Sequence, residues 1–270
     1  MVRVDKKGRK GEFKELTAKD VVYMVLPVIS IAFLLLLWYL VSSRRPDMFP
    51  TMEAAWKRLM LLMEKPVMRV SYLGHILYSL KRVVLALLSA IILGLAFGIV
   101  IGWNKKLDCF FGTVFNVIRP IPPIAWVPLI TIAFGIGEFS KVLVVFISAF
   151  MPIVVNTRAS IQNVEEMYLD VGTLFDASKS QMLWEVAMPS AIPGIIAGIK
   201  TATSAAWMAV LAAEMLGAKS GVGFLVSRGM DGNDMALVLV AMITIGVIGA
   251  LLSVFTSFVE RLLCPWMKIK

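Results

Sequence analysis

The sequence predicts an all-α membrane protein with six transmembrane helices, and three observations support this. Hydrophobic residues make up 59% of the 270 residues, and charged residues only 17%. Soluble domains average about 45–50% apolar and about 25% charged residues. The mean hydropathy is +0.83, and the apolar residues collect in six long runs. This composition argues against a soluble enzyme, a disordered regulator and a secreted disulfide scaffold.

The first apolar run covers residues 21–41 and contains no charged residue. A transmembrane helix needs about 20 apolar residues. The run is too long for the core of a signal peptide, and no small-residue cleavage site follows it. We therefore expect a retained transmembrane helix. The remaining five spans are expected at residues 83–103, 121–137, 142–157, 192–215 and 235–259.

Six spans place both termini on the same side of the membrane. The N-terminal tail, residues 1–20, is basic, so we expect both termini in the cytoplasm and a transmembrane domain over residues 21–270. Residues 42–82 must then lie outside, although they carry eight Lys and Arg residues. Charge bias alone therefore does not decide the orientation. The net charge is +9, but long uncharged runs separate the basic residues along the chain. This distribution favours lipid headgroups over nucleic acid as the partner.

The outer segment contains an amphipathic pattern. Apolar residues recur every three or four positions at Met52, Ala55, Trp56, Leu59, Met60 and Met63. This spacing predicts an interfacial helix bounded by Pro50 and Pro66. The helix either covers the bundle as a lid or offers a docking surface to a partner.

Two of the predicted spans carry small residues at intervals of four. In lipid, glycine allows two helix backbones to approach closely, which supplies packing that the hydrophobic effect does not. We therefore expect helix packing, with or without a moving interface, at Gly94, Gly98, Gly102, Gly194 and Gly198.

The third span contains four prolines within residues 120–128. Each proline removes a backbone donor and clashes with the preceding turn. Irregular backbone at membrane depth is tolerated where it is buried in protein or lines a cavity. We therefore do not expect a simple lipid-facing helix here, and we expect Arg119 at the inner interface. Our candidates for a translocation pathway are Pro122, Pro123, Trp126, Asn156, Lys200 and Glu214.

The chain lacks the residues that most membrane chemistry requires. His75 is the only histidine, and Cys109 and Cys264 are unpaired in the sequence pattern. No metal cluster, catalytic triad or Walker A motif is present, so we expect no enzyme activity. Lys200 and Glu214 lie about 21 Å apart on one helix and cannot pair. Lys200 could contact an anion, although snorkelling or a backbone carbonyl partner is the favoured interpretation.

Transport by such a chain needs energy from elsewhere, because acidic residues for ion coupling are absent from most of its spans. The chain is then either a passive channel or a subunit that a separate ATPase drives. A polar loop over residues 158–189 bears on this choice. It carries apolar Tyr168, Leu169, Val171, Leu174 and Phe175 in one short predicted helix. Ser178 and Gln181 have the spacing of a capping box, which starts a second helix, and Pro189 is expected to end it.

This loop resembles the EAA loop of ABC importer permeases, with the pattern E-A-A, three residues, G, nine residues, I-x-L-P. Asp170 stands at the Glu position, and Val171 and Gly172 at the two Ala positions. Val186, Met188 and Pro189 match I-x-L-P. Asp176 replaces the glycine, and Asp tolerates a left-handed backbone better than most residues. The resemblance implies that the loop receives an ATPase through Tyr168, Leu169, Asp170, Val171, Gly172, Thr173, Leu174, Phe175, Asp176, Ala177, Ser178 and Pro189.

Further motifs resemble the nitrate/sulfonate/taurine/bicarbonate subfamily of these permeases. They include the proline-rich run from Arg119 to Leu129 and the sequence from Ala213 to Leu216. The resemblance covers roughly residues 75–266. It implies a type I importer (MetI-like) fold with a cytoplasmic coupling helix, in the inner membrane. The implied partners are a second copy of the chain, two cytoplasmic ATPase subunits that bind ATP and Mg, and an extracytoplasmic solute-binding protein.

The resemblance therefore implies a permease subunit that imports a small anionic solute and holds no cofactor itself. The alternative is a passive channel or a gating subunit. A channel would not need an apolar docking helix on the cytoplasmic face. The solute itself is not readable from this sequence, because in this family the binding protein selects it.

Overall fold

The computed structural model describes residues 18–45 and 49–265, so residues 1–17 of the predicted N-terminal tail lie outside the described part. The described chain is mainly helical. Its helices are α1 (Ala18–Arg44), α2 (Met52–Glu64), α3 (Tyr72–Trp103), α4 (Lys105–Ile118), α5 (Pro123–Phe134), α6 (Glu138–Gln162), α7 (Glu166–Leu174), α8 (Lys179–Gln181), α9 (Met188–Met215), α10 (Val222–Asp231) and α11 (Met235–Leu263).

Five segments of the described chain are long and apolar enough to cross a membrane. They lie in α1, α3, α6, the continuous helical segment Lys179–Met215 and α11. The short helices α4 and α5 make a sixth span if they are counted together. The predicted all-α membrane fold is therefore confirmed.

The described residues form two compact units, divided after Glu53. The first unit contains α1, and within it the indole Nε1 of Trp38 donates a hydrogen bond of 3.1 Å to the carbonyl of Pro50. The second unit contains the helices from α3 onwards, together with most of α2.

Helices α3, α6 and α9 form the centre of the second unit. Their shared core consists mainly of alanine and β-branched residues, among them Val83, Ala86, Ala90, Val145, Ala149, Ile153, Ala202, Ala206 and Val210. Small side chains let these helices approach closely, which is the packing that lipid-embedded helices favour.

The glycines of α3 and α9 both face α6. A Cβ at Gly98 would lie 2.7 Å from the Cβ of Thr157, and a Cβ at Gly198 would lie 2.6 Å from the Cβ of Asn156. Neither distance is sterically possible without a shift of α6. The other glycines at this spacing also pack against α6: Gly94 against Ile153, Gly102 against Ile161 and Arg158, and Gly194 against Ser160.

Helix α3 begins eleven residues earlier than the sequence predicts, at Tyr72 rather than at residue 83. Residues 72–82 of the expected outer segment therefore belong to α3. Ser71 caps the helix, because its side chain accepts a hydrogen bond from the Gly74 amide. Arg82 directly precedes the uncharged run at residues 83–103 in the sequence, but its side chain is buried within the helical bundle.

The predicted third span differs most from the structure. Helices α4 and α5 meet at a bend of 97°, and residues 119–122 form the bend. The prolines account for it, because Pro120, Pro122 and Pro123 cannot continue the helical hydrogen bonds of α4. The hydropathy pattern did not predict α4, because the charged residues Lys105, Lys106 and Asp108 lie in its first turn.

Two further helix boundaries correct the sequence prediction. Pro189 was expected to end a helix, but it lies in the first turn of α9, within the continuous helical segment Lys179–Met215. Helix α10, between α9 and α11, was not predicted. It has ten residues and lies between Gly221 and Gly232.

The amphipathic helix α2 is confirmed, but its buried face is narrower than the predicted apolar stripe. Ala55 and Leu62 are buried against residues of α10 and α11, including Leu225 and Leu237. Trp56 and Met63, by contrast, are exposed. The buried side of α2 thus covers α10 and α11, as the lid interpretation expects.

Candidate coupling surface and translocation cavity

The end of α7 forms a tight turn at the position where the EAA pattern has glycine. The Ala177 amide donates 3.0 Å to the Gly172 carbonyl, and the Asp176 amide donates 3.0 Å to the Thr173 carbonyl. These two bonds define a Schellman motif, in which the residue at C′ is left-handed. Asp176 occupies that position with a φ of 53°. Asp176 thus adopts a left-handed conformation that glycine also adopts readily.

The same segment exposes a large apolar surface. Leu174 and Phe175 are each 83% exposed, and Met167, Tyr168 and Val171 are also exposed. Gly172 lies on the opposite side, buried against the side chain of Met182. We call the exposed surface formed by Met167, Tyr168, Val171, Leu174 and Phe175 the coupling surface.

The remaining residues of the predicted coupling loop support the turn or point to solvent. Asp170 is exposed on α7, and Leu169 is half-buried. The Thr173 hydroxyl donates 2.9 Å to the Leu169 carbonyl. Ala177 is half-buried in the turn and Pro189 is exposed.

Helix α8 starts at the predicted capping box. The Gln181 amide donates to the Ser178 hydroxyl at 3.4 Å, and the Ser178 amide donates to Gln181 Oε1 at 3.0 Å. Residues Met182–Ala187 then form a π-helical turn that leads into α9. Pro189 lies two residues after this π-helical turn and has no N–H for a regular helical hydrogen bond. The coupling surface precedes the turn at residues 176–178, and the continuous helical segment Lys179–Met215, which includes α9, begins directly after residue 178.

A cavity of about 230 Å³ lies between the α4–α5 bend, α6 and α9. Its walls consist of Ile118, Arg119, Ile121, Pro123, Trp126, Ile147, Ser148, Met151, Pro152, Val155, Asn156 and Thr201. Three of the predicted pathway residues, Pro123, Trp126 and Asn156, meet here. Pro122, Lys200 and Glu214 are not among the lining residues.

The structure gives Lys200 a partner that the sequence analysis did not consider. Its Nζ lies 3.0 Å from Glu260 Oε2 on α11. A carboxylate thus takes the place of the expected backbone carbonyl partner, and snorkelling stays a prediction. The ion pair joins α9 to α11. The sequence pattern did not indicate it, because the two residues lie far apart in the chain.

Glu214 belongs to a buried polar cluster that the sequence analysis missed. Its Oε1 lies 2.6 Å from Arg82 Nη1, and its Oε2 accepts from the Ser79 hydroxyl at 2.8 Å and from the Gly223 amide at 3.0 Å. Arg82 also donates to both carboxylate oxygens of Glu138, each at 2.7 Å. One guanidinium therefore ties α3 to α6 and α9.

His75 supports the same region. Its Nδ1 accepts a hydrogen bond of 3.1 Å from the Gly221 amide. Gly221 has a φ of 116°, and a Cβ there would collide with the carboxylate of Glu214. The only signals in the sequence were a charged residue at one end of each of two apolar runs, Arg82 and Glu214, and the glycines at 221 and 223.

Residues 90–269 of the chain match the family described as the binding-protein-dependent transport system inner membrane component. The chain belongs to this family. It is 32% identical over 247 residues to the nitrate import permease protein NrtB of Synechocystis sp., covering 90% of each chain. It is 29% identical to the taurine transport system permease protein TauC of Escherichia coli, again over 90% of each.

Solved structures agree in fold. One inward-facing structure of the MetNI methionine ABC transporter aligns with a TM-score of 0.64 at 15% identity. The alignment covers 77% of this chain and 98% of that one. The chain thus has the all-α fold of these MetNI structures.

The expected family is confirmed. The protein is an ABC importer permease of the nitrate/sulfonate/taurine/bicarbonate type, and a multi-pass membrane protein. The alternative of a passive channel finds no support among these relatives, which are transport permeases rather than enzymes. The family description places such components in systems that depend on a binding protein.

Proposed function

We propose that this permease forms the pathway for a small anionic solute in an importer driven by a separate cytoplasmic ATPase, which contacts it through the coupling surface. The exposed Leu174 and Phe175 side chains carry this proposal. Apolar side chains projecting from a polar loop into water are unfavourable unless a partner protein covers them.

The position of the coupling surface in the chain suits the transmission of a movement. It sits beside the start of the helical segment Lys179–Met215, which is 37 residues long, or about 55 Å of helix. That segment passes the cavity at Thr201 and carries Glu214 in its last turn. A displacement of α7 by the ATPase would therefore reach both the cavity wall and the buried cluster through one helix.

The topology we propose follows from counting spans. α1, α3, the α4–α5 pair and α6 precede the coupling surface, so four crossings return α7 to the side of the N-terminus. Contact with a cytoplasmic ATPase then places both termini in the cytoplasm, with the tail at residues 1–20 and the permease domain over residues 21–270.

The partners we propose are a second copy of this chain, two ATPase subunits and an extracytoplasmic solute-binding protein. ATP and Mg would bind to the ATPase subunits, and this chain would hold no cofactor. A second copy would complete the pathway, since the cavity within one chain is not fully enclosed.

The solute class rests on the relatives and on the charge of the cavity. The relatives are named as permeases for nitrate, taurine, bicarbonate and aliphatic sulfonates. Arg119 is the one ionisable residue among the described residues that line the cavity. A cavity with a single positive charge favours an anion.

A co-purification experiment tests the coupling surface. The double variant Leu174→Ala/Phe175→Ala should retain its ATPase at least about tenfold more weakly than wild type, because truncating a buried interface anchor costs about 2 kcal/mol or more. Met230→Ala, at an exposed apolar residue on α10, is the matched control and should retain the ATPase normally. Equal retention by the double variant and the control would contradict the proposal.

A further inference from the structure

The cavity contains a buried hydroxyl without a partner. Ser148, on α6, is 6% exposed, and its Oγ has no hydrogen-bond partner within the described chain. Most serines in helices donate to a carbonyl in the preceding turn, as Ser89 of α3 does to Leu85 and Ala86. A buried polar atom left unpaired calls for a ligand or a water.

The backbone next to this hydroxyl is also missing a helical hydrogen bond. Pro152 lies one turn after Ser148 on the same face of α6 and has no N–H to donate to the Ser148 carbonyl. Both residues line the cavity. The proline therefore leaves polar backbone beside the unpaired hydroxyl, at the wall of an open space.

Asn156 extends this polar row by one more turn of α6. Its Nδ2 donates 2.8 Å to the Pro152 carbonyl, which uses one of its two amide hydrogens and leaves the other and Oδ1 free to bind a solute. On α9, the Thr201 hydroxyl donates 3.0 Å to the Ala197 carbonyl, so its oxygen can still accept. The two helices thus offer both donors and an acceptor.

Arg119 supplies the charge. It lies at the α4–α5 bend, is exposed, and has no acidic partner in the described part of the chain. The buried Arg82, by contrast, is neutralised by two glutamates. An unpaired guanidinium beside a polar wall suits the oxygens of a nitrate, bicarbonate or sulfonate group, two of which can accept its paired N–H donors.

The volume limits the size of the occupant. Pockets for drug-sized ligands measure about 300–1,000 Å³, and this cavity holds about 230 Å³. A small solute fits, whereas a peptide or an oligosaccharide does not.

We propose that this cavity is a solute-binding site of the permease itself, in which Ser148, Asn156 and Arg119 hold a small oxyanion during its passage. Thr201 accepts a hydrogen bond from a protonated group when the solute carries one. The inference rests on the proposed function and adds a site that acts after the solute leaves its binding protein.

The test is solute uptake by the complete transporter in proteoliposomes, with the permease, its own ATPase and its own binding protein. Nitrate, bicarbonate and taurine serve as probes, and uptake is measured against the concentration of loaded binding protein. Ser148→Ala and Asn156→Leu are the site variants. Ser89→Ala and Thr256→Val, whose hydroxyls bond within their own helices away from the cavity, are the matched controls.

Loss of one hydrogen bond to a charged solute should lower the maximal uptake rate of each site variant about tenfold. The ATPase rate without solute and the co-purified amount of ATPase should stay at the wild-type level. The two controls should transport like wild type. A second variant, Ser148→Thr, keeps a hydroxyl and should restore most of the uptake.

The outcomes separate this inference from the proposed function. If wild type imports at least one of the three solutes and the site variants match the controls, the inference is wrong while the proposed function stands. If wild type imports none of the three solutes, the proposed solute class is wrong and the inference fails with it. If the variants lose uptake and Ser148→Thr regains it, the solute site is established.

Discussion

Arg82 Nη1 and Glu214 Oε1 lie 2.6 Å apart, although 132 positions separate them in the chain. Their side chains are 2% and 0% exposed. A buried ion pair of this kind fixes α3 against the end of α9, and it is satisfied further by Ser79, Ser220 and the Gly223 amide. The cluster lies at the opposite end of the Lys179–Met215 segment from the coupling surface.

Removing the arginine should destabilise the permease strongly. Arg82→Met leaves Glu214 buried without a cation, which costs about 3–5 kcal/mol. Thermal unfolding of the purified protein should show a large loss of stability. Glu138→Gln is the control, since the Glu138 side chain is 63% exposed and Arg82 keeps Glu214 as its partner.

The double variant Arg82→Met/Glu214→Gln sharpens this test. It removes both charges, so it should be more stable than Arg82→Met alone, and the two changes should not be additive. Additive losses would show that the two side chains do not interact as the structure describes.

The close approach of α3 and α6 predicts a second outcome. Gly98→Ala places a methyl group 2.7 Å from the Cβ of Thr157 and 3.1 Å from the Val154 carbonyl, and overpacking costs about 1–3 kcal/mol. Gly246→Ala, on α11 with open space around the glycine, should be neutral or stabilising by up to about 1 kcal/mol. Similar melting temperatures for the two variants would count against the packing of α3 on α6.

The left-handed backbone of Asp176 at the end of α7 leads to a third prediction. Asp176→Gly should keep the turn, because glycine adopts a φ of 53° without strain. Asp176→Val should weaken the turn by about 1–2 kcal/mol, because a β-branched residue disfavours positive φ. We expect the amount of co-purified ATPase to stay unchanged in the first variant and to fall in the second. The reverse order would show that the turn does not present the coupling surface.

Much of the fold was readable from the sequence because lipid imposes long uncharged runs. The runs predicted the long spans, and the local pattern around Ser178 and Gln181 predicted the start of α8. The proline cluster predicted a break in the third span. These features depend on neighbours within a few residues, which a single sequence contains.

The errors at Arg82 and Lys200 share a physical cause, which is long-range pairing. In the sequence, Arg82 marked the limit of the uncharged run at residues 83–103. In the structure its side chain, on α3, can be buried because Glu214 and Glu138 pair with it. Lys200 has its partner 60 positions away in Glu260. For the candidate cavity, the sequence singled out Pro123, Trp126 and Asn156 but not Ser148, whose unpaired hydroxyl becomes visible only when three elements surround it.

Lys200 yields a fourth prediction. Because its ammonium is paired with Glu260 and does not line the cavity, Lys200→Gln should leave solute uptake close to wild type. The loss of a partly exposed ion pair should cost about 0–1 kcal/mol of stability. A large loss of uptake with unchanged stability would instead assign Lys200 to the solute pathway.

The most direct measurement is solute accumulation in proteoliposomes that contain the permease, its ATPase and its binding protein, with and without ATP. We predict accumulation against a gradient only when ATP is present, and its loss in Leu174→Ala/Phe175→Ala but not in Met230→Ala. Uptake that merely equilibrates the solute, equal with and without ATP and unaffected by the double variant, would contradict a permease driven through the coupling surface.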